Sequence, residues 1–375
     1  MPVKTRPVKK KKLHFFDYVV LVFTIIASVS ILLSLLASLI DPRTCWPLVF
    51  FGLAYPPLLI ANIILALYWL LRFSRFIFIS LLSILIGWSI FAKSFNFSST
   101  TADGPKKSAN YLRLMTYNVH SFQGVGANAS KPTRTEILQL IKTEQPDVLC
   151  IQEFYSRKKG EAAMVDSIKK ALHTPYFYRF VVNNIDYEGN GIAAFSKFPI
   201  INKGLIPLAD NNSTNQCIYI DIKKADKIIR VYAVHLQSIQ FMPEDYQTID
   251  SVKKVEETNV HSYKRILSKL KKAFLKRSEQ VYLVKNHAAT SPYPFIIAGD
   301  FNDTPASFAL NKMSEGLVNA FREKGNGFGA TYNGDFPNYQ IDYILAQPKF
   351  EVINYLVLKK KLSDHYGIRA DLRLK

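Results

Sequence analysis

The sequence predicts an α/β domain carried behind three membrane-spanning helices, on three observations. The composition breaks near residue 96, with long apolar stretches before it at about residues 15–40, 46–71 and 76–95. Each is close to the roughly 20 residues needed to cross a hydrocarbon core. Beyond the break, over residues 111–375, short apolar runs of strand length alternate with amphipathic stretches of helical period. Polar or ionisable residues recur where those apolar runs end.

The first apolar stretch holds Asp17 only at its edge, and the second holds no charge. The third is the shortest uninterrupted apolar run, and an interfacial position is its alternative. A basic start (Lys4, Arg6, Lys9 to Lys12) also suits a cleaved signal peptide, but the apolar run is too long and lacks a small-residue cleavage site. Arg43 stands alone in the first loop, and Arg72 and Arg75 sit in the second. Basic residues favour the cytoplasmic side, which places the N-terminus and second loop there. Three crossings then put the C-terminal domain outside the cytoplasm, facing the periplasm in a bacterium. Were the third stretch not to span, the domain would lie inside. Residues 1–95 thus read as a membrane anchor, and the polar residues 96–110 as a linker.

The domain at 111–375 is long enough for one large core. Candidate strands cover 113–118, 148–152, 192–196, 218–222, 229–235, 295–298, 341–346 and 367–372; candidate helices cover 133–144, 162–172, 251–285 and 306–313. No repeat of fixed period points to a solenoid or propeller. Cys150 and Cys217 fall inside strand-like runs and read as buried thiols. The formal charge is +19, of which 38 basic and 27 acidic residues beyond the anchor contribute a net +11. That excess favours anionic partners such as nucleic acid, phosphorylated headgroups or the bilayer surface. Much of it lies on 264–285, where lysines interleave with Ile266, Leu267, Leu270 and Phe274 at amphipathic-helix spacing, a solvated basic face over an apolar one.

The stretch 294–305 is the most informative: an apolar strand, Gly299, then Asp300 and Asn302 one residue apart. Period-2 alternation puts both polar groups on one side, with Phe301 turned to the core. A plain turn is the competing reading of that stretch alone. Asn118, Glu153 and His235 also end strands, Asp342 lies on one, and Asp364 and His365 precede the last. Asn118, Glu153, Asp300, Asn302 and Asp364 form an all-oxygen set suited to magnesium, manganese or calcium. His235 and His365 can supply a general base, a proton donor or a phosphate ligand. Asp342 is the candidate partner of His365. This is an inventory for phosphate-ester hydrolysis.

In order along the chain, Thr116-Tyr117-Asn118, Gln152-Glu153, Gly191-Ile192-Ala193, Ser196-Lys197-Phe198-Pro199, His235-Leu236, Gly299-Asp300-Phe301-Asn302, Ile341-Asp342-Tyr343-Ile344 and Ser363-Asp364-His365 resemble the motifs of the endonuclease/exonuclease/phosphatase superfamily. The resemblance implies a deoxyribonuclease I-like four-layer α/β/β/α sandwich with its site at the sheet rim. It implies Glu153 as principal metal ligand, aided by Asn118 and Asp364. Asp300 and Asn302 would position water and phosphate, and His365, oriented by Asp342, would act on one of them. Either Asp300 or His365 would be the base. His235 matches a second catalytic histidine of the deoxyribonuclease-like and lipid-phosphodiesterase branches, and Glu188 is a candidate to orient it. Val234-His235-Leu236 departs from the abasic-site endonucleases, and the extended motifs of inositide 5-phosphatases are missing. The expected function is a membrane-anchored, divalent-metal-dependent phosphodiesterase or phosphohydrolase, using magnesium or else manganese or calcium. It acts on a lipid headgroup or nucleic acid, is held by membrane lipid and has no protein partner inferred. The alternatives are an extracytoplasmic nuclease and a non-catalytic tethered module that keeps the fold.

Overall fold

Strands that are apolar at nearly every position must be covered on both faces, and two sheets packed face to face do this. The computed structural model describes residues 13–98, 104, 106, 108–126, 131–185, 188–210, 212–253, 260–334 and 338–375. Among them, one six-stranded sheet orders Val318–Asn319, Asp342–Ala346, Phe295–Asp300, Lys227–His235, Cys217–Lys224 and Ile200–Ile206. The other orders Phe350–Leu358, Gly367–Leu374, Leu112–Asn118, Val148–Gln152, Glu188–Ser196 and Tyr176–Ile185. Alternation assigns the side chains. Ile296 and Ala298 meet Leu114 and Cys150 in the core between the sheets. Ile297 and Phe301 face outward, against Val281 and Val284 of helix Val260–Ala289 and Leu310 of helix Phe308–Ser314. Met115, Tyr117 and Leu149 cover the opposite face, under helices Arg134–Glu144 and Met164–Leu172. Sheets flanked by helices on both outer faces are the arrangement the resemblance implied.

The eight expected strands are the eight interior ones. The four missed in these two sheets are their edges: Val318–Asn319, Ile200–Ile206, Phe350–Leu358 and Tyr176–Ile185. An edge strand is half solvated and carries polar interruptions, so Ile200–Ile206 runs through exposed Ile201, Asn202 and Lys203. The single helical region expected at 251–285 is two helices, Pro243–Lys253 and Val260–Ala289, separated by residues outside the described set.

The N-terminal region departs from three full spans. Helices Phe15–Leu39 and Ile77–Ser94 are long and apolar enough to cross a bilayer. The middle stretch breaks into Leu48–Leu53 and the 17-residue Tyr55–Leu71. The cause is Pro56-Pro57, which lack an N–H to donate and so open a helix rather than continue one. The weak span is therefore the second, not the third. Apolar helices that would face lipid need polar contacts between themselves. Ser28 and Ser83 both donate to Asn62 Oδ1, at 3.0 and 3.2 Å, and Trp69 donates to Thr24 at 2.8 Å. At one end of the bundle Asp17 pairs with Arg72 at 2.6 Å.

The expected linker begins as structure. Phe95–Phe97 pairs antiparallel with Asn326–Phe328, and Asn96 Nδ2 donates to the carbonyls of Phe321 and Arg322 at 3.0 and 2.7 Å. Lys93 Nζ reaches Asn311 Oδ1 at 2.8 Å. Gly52 and Ala306 touch so closely that a Cβ on Gly52 would lie 3.0 Å from the Ala306 carbonyl oxygen. The bundle is fastened to the domain, not tethered by a loose chain.

In the second sheet Arg113 binds Asp371 through two nitrogens, at 2.7 and 2.9 Å, with both side chains buried. Burial raises the Asp371 pKa, but hydrogen bonds from Arg113 and Asn354 outweigh it and hold the carboxyl below its ordinary value. The stability this contributes is complete above the unfolded carboxylate value of about 3.9 and is lost as pH falls through the lower folded value. Asp371→Asn leaves the Arg113 charge buried and unpaired. The expected loss is about 3–5 kcal/mol at neutral pH, with a flatter acid limb than wild type. Thermal melts of both proteins between neutral pH and pH ~3 test this, and equal melting temperatures at neutral pH would contradict it.

Candidate active site at the sheet rim

Each sheet contains one parallel strand pair, and the carboxyl ends of both pairs meet at one rim. Asn118 is in register with Gln152 in one sheet; His235 is in register with Asp300 in the other, and Asp300 with Asp342 beyond it. Residues directly opposite on neighbouring strands share a face, so Asp300 is set between His235 and Asp342. Gly299 makes this possible. Its φ is +151°, and a Cβ there would lie 1.9 Å from the Val234 carbonyl oxygen.

Asp300 is buried and held by donors. Asn302 N reaches its Oδ1 at 2.8 Å; Asn302 Nδ2 and Asn118 Nδ2 reach its Oδ2 at 3.2 and 3.0 Å. Asn302 has φ +54° and ends the strand, while Phe301 is buried against Tyr343. The stretch is thus both a turn and a clamp. Asn118 Nδ2 also donates to Glu153 at 3.2 Å, which joins the two sheets through one amide. Burial drives the Asp300 pKa well above the carboxylate range, against the opposing charge of His365.

The two expected histidines converge on that carboxylate. His365 Nδ1 bonds Asp342 Oδ2 at 2.9 Å, and its Nε2 lies 3.7 Å from Asp300 Oδ2. Burial works against protonation of His365, but Asp342, Asp300 and Asp364 together raise its pKa well above the ordinary value. His235 Nδ1 donates to the Thr214 carbonyl at 3.2 Å, which turns Nε2 to within 3.7 Å of Asp300 Oδ2 and 3.9 Å of Glu153 Oε1. That Nε2 is buried and finds no hydrogen-bond partner among the described residues. The expected Glu188–His235 contact is replaced by this backbone carbonyl; Glu188 instead binds Tyr155 and, at 2.7 Å, Arg157. Glu188 opens the strand Glu188–Ser196 with a partly exposed side chain, and it pairs with the exposed Arg157 beside it.

Glu153 and Asp364 complete the set. Ser363 ties the last loop to the rim, donating to the Asn118 carbonyl at 2.8 Å. The reading of the sequence missed His120, whose Nδ1 lies 3.3 Å from Asp364 Oδ2 and 3.8 Å from Glu153 Oε2. Its signal was available: Asn118-x-His120 repeats the spacing of Asp300-x-Asn302 just past a strand end. The hydrogen bond to Asp364 raises the His120 pKa against burial. Asp364 itself is lowered to about 2, because His120 and His365 outweigh its burial.

The model of the Endonuclease/Exonuclease/phosphatase family matches residues 115–365, which spans every one of these residues. The chain belongs to this family. A second family model, a domain of unknown function (DUF8431), matches residues 17–94. A curated relative, Sphingomyelinase C of Bacillus cereus, is 27% identical over 162 residues, which cover 38% of this chain and 48% of that protein. The chain thus spans about half the length of the relative it matches. Two solved structures share the fold, each with a TM-score of 0.50. An endonuclease/exonuclease/phosphatase from Beutenbergia cavernae is 19% identical, covering 70% of this chain and 72% of its own. A humanized D. rerio TDP2 is 15% identical, covering 71% and 100%.

For an endonuclease/exonuclease/phosphatase family member, the donor set decides where a cation fits. Asp300, Asp342 and His365 each present an atom within 4.8 Å of the others. Asp342 Oδ2 is, however, taken by His365, its Oδ1 is buried with no hydrogen-bond partner among the described residues, and all three side chains are closed off from solvent. Glu153 and Asp364 are partly exposed, both lie close to His120, and both offer carboxylate oxygen. Oxygen donors of this kind suit a hard cation that keeps some of its water. The pair therefore fits a divalent ion better than the buried trio, with Asn118 positioning Glu153.

Gly299→Ala is expected to force apart the strands that set His235 beside Asp300. The loss should be about 1–3 kcal/mol or more, read as a lower melting temperature. A melting temperature equal to wild type would show that the approach at Val234 is not needed.

Proposed function

We propose that this protein is a membrane-anchored, divalent-metal-dependent phosphoester hydrolase. The observation that carries the reading is the buried Asp300 carboxylate facing two imidazole Nε2 atoms at 3.7 Å each, beside the partly exposed Glu153 and Asp364. Two nitrogen groups and a carboxylate, His235 and Asp300 from neighbouring strands and His365 from the loop before the last strand, converge as a seat for a tetrahedral anion and its attacking water. The family description names nucleases and phosphatases, and the curated relative is a sphingomyelinase, which supports a phosphate-ester substrate.

Magnesium, with manganese or calcium as substitutes, held at Glu153 and Asp364 would neutralise charge growing on the phosphate. The protein's own groups divide the remaining work. Asp342 fixes the His365 ring and keeps it protonated, so that Nε2–H donates to a non-bridging phosphate oxygen. Asp300 has the raised basicity of a buried carboxylate and takes the proton of the attacking water. Asn302 and Asn118 hold its two oxygens in place while it does so. His235 is oriented by the hydrogen bond of its Nδ1 to the Thr214 carbonyl, which leaves Nε2 facing the seat.

The bundle supports anchoring. Arg72 pairs with Asp17 at the end that carries the N-terminus, and the domain packs on the other end through Tyr339 and Leu53. With basic residues retained inside, the N-terminus is cytoplasmic and the catalytic domain lies outside.

Glu153→Gln should abolish hydrolysis of a soluble phosphodiester in magnesium without changing the melting temperature, and a chelator should do the same reversibly. His365→Ala should lower kcat by about 10²–10⁴ with a smaller change in KM. Chelator-resistant turnover would sink the metal-dependent reading. A phosphatase reporter fused after Lys375, active only outside the cytoplasm, tests orientation: an inactive reporter would reverse it.

A further inference from the structure

We propose that the substrate is a phosphate ester carried by a bilayer lipid, with its apolar part seated between the N-terminal bundle and one face of helix Val260–Ala289. The inference rests on the hydrolase reading above. A cavity of about 250 Å³ adjoins the catalytic cluster, lined by Asp300, Asp364 and His365 together with Leu53, Phe241 and Phe274. Leu53 belongs to the short helix that breaks the second apolar stretch. Its carbonyl accepts from Tyr339 Oη at 2.9 Å, and neighbouring Val49 packs with Leu270 and Phe274. The bundle that would cross the membrane thus supplies a wall of the catalytic cleft.

The long helix supplies the other wall in a graded way. Arg277, Phe274, Leu270, Leu267, Tyr263 and Val260 follow one another at spacings of three and four, so they share one helix face. At the catalytic end, Arg277 is 1% exposed and lies 4.4 Å over the Phe274 ring. Its Nε is 3.6 Å from Asp303, while Nε and Nη2 find no hydrogen-bond partner among the described residues. Buried donors of this kind are costly unless met, and an anionic oxygen entering the cavity they line would meet them. Phe274 and Leu270 are buried in the middle, while Leu267 and Val260 are 46% and 63% exposed at the outer end. The stripe spans about 25 Å at 1.5 Å per residue, longer than half of a ~30 Å hydrocarbon core.

That polarity gradient matches an amphiphile: an anionic head at Arg277 and the metal-binding carboxylates, and a tail running outward. The helix stays beside the bundle end, since Lys271 Nζ sits 4.6 Å over the Trp46 ring. Lys264 and Lys272 add positive charge where anionic headgroups would lie.

The test uses the full chain reconstituted in vesicles, with magnesium. Substrates are phosphatidylcholine vesicles containing sphingomyelin or phosphatidylglycerol, the soluble diester bis(p-nitrophenyl) phosphate, plasmid DNA and RNA. The readout is kcat/KM on lipid relative to the soluble diester. Leu267→Glu alters an exposed residue and leaves folding intact; it and Leu53→Gln should each lower that ratio about tenfold or more. Ile201→Glu, exposed on the opposite edge strand, should not. Arg277→Gln should raise KM for lipid, with Arg277→Lys restoring part of the loss. Unchanged ratios in both wall variants, or preferential cleavage of DNA or RNA, would overturn the lipid assignment while leaving the hydrolase reading intact. No turnover of any of these substrates would overturn both.

Discussion

A carboxylate kept from water must be compensated by the groups around it, and Asp300 imposes that constraint on the whole rim. Three amide donors hold its oxygens, two imidazoles face Oδ2, and a second carboxylate, Asp342, sits beyond one of them. The backbone arrangement follows from this. His235 and Asp342 can stand on either side of Asp300 because their strands are its immediate neighbours in register. Val234 can approach so closely because residue 299 carries no Cβ. Two sheets are needed as well, since Asn118, which donates to both Asp300 and Glu153, comes from the other one. The face-to-face core therefore does more than stabilise the domain. It fixes the distance across which one amide links two carboxylates.

The same economy links the domain to the N-terminal helices. A loosely tethered domain would leave its cleft facing open solvent. Here a two-stranded ribbon, a lysine–asparagine hydrogen bond and the Gly52–Ala306 contact lock the bundle against the strand-to-helix loop that follows Asn302. Ala306 lies four residues beyond Asn302 and packs with Ile31, Tyr55 and Ile90 of the bundle. Any tilt of the bundle would press on the segment that positions the clamp.

The interior of this fold was legible because burial on both faces writes an unbroken apolar run into the sequence. Val148–Gln152 and Phe295–Asp300 stand out for that reason. The edge strands were not, because partial solvation dilutes the pattern, as exposed Ile201 and Lys203 show. The residues ending interior strands were legible in the same way, and Asn118, Glu153, His235, Asp300 and Asp342 do meet. Glu188 was misplaced because it precedes its apolar run instead of ending one, so only tertiary placement could assign it. His120 follows the end of one by two residues, in the spacing that Asp300 and Asn302 repeat. The break in the second apolar stretch was written as Pro56-Pro57, yet hydropathy averaged over the window conceals a break in backbone hydrogen bonding. The wall formed by Leu53 depends on contacts far apart in sequence, and no local pattern carries it.

Backbone conformation explains how groups from two sheets reach one point. Non-glycine residues seldom adopt positive φ, yet His120 (+46°), Glu153 (+51°) and Asn302 (+54°) all do. Each lies just beyond the end of an interior strand. Side chains within a strand alternate between faces committed to core or helices. Asn118 reaches the other sheet because it is the last residue of its strand, and the residues beyond the strand ends need a different backbone turn to face the same point. A left-handed residue turns the chain out of that alternation at a cost of about 1–2 kcal/mol, and here it turns three polar side chains toward one centre. Such conformations persist where the surroundings over-determine them. At Asn302 the fixing contacts are visible: its N–H and amide on Asp300, and the same amide on the Leu236 carbonyl at 3.1 Å. The strain at the rim and the burial of Asp300 are thus one arrangement, because the turn that bends Asn302 out of the strand also delivers the donors that let Asp300 stay buried.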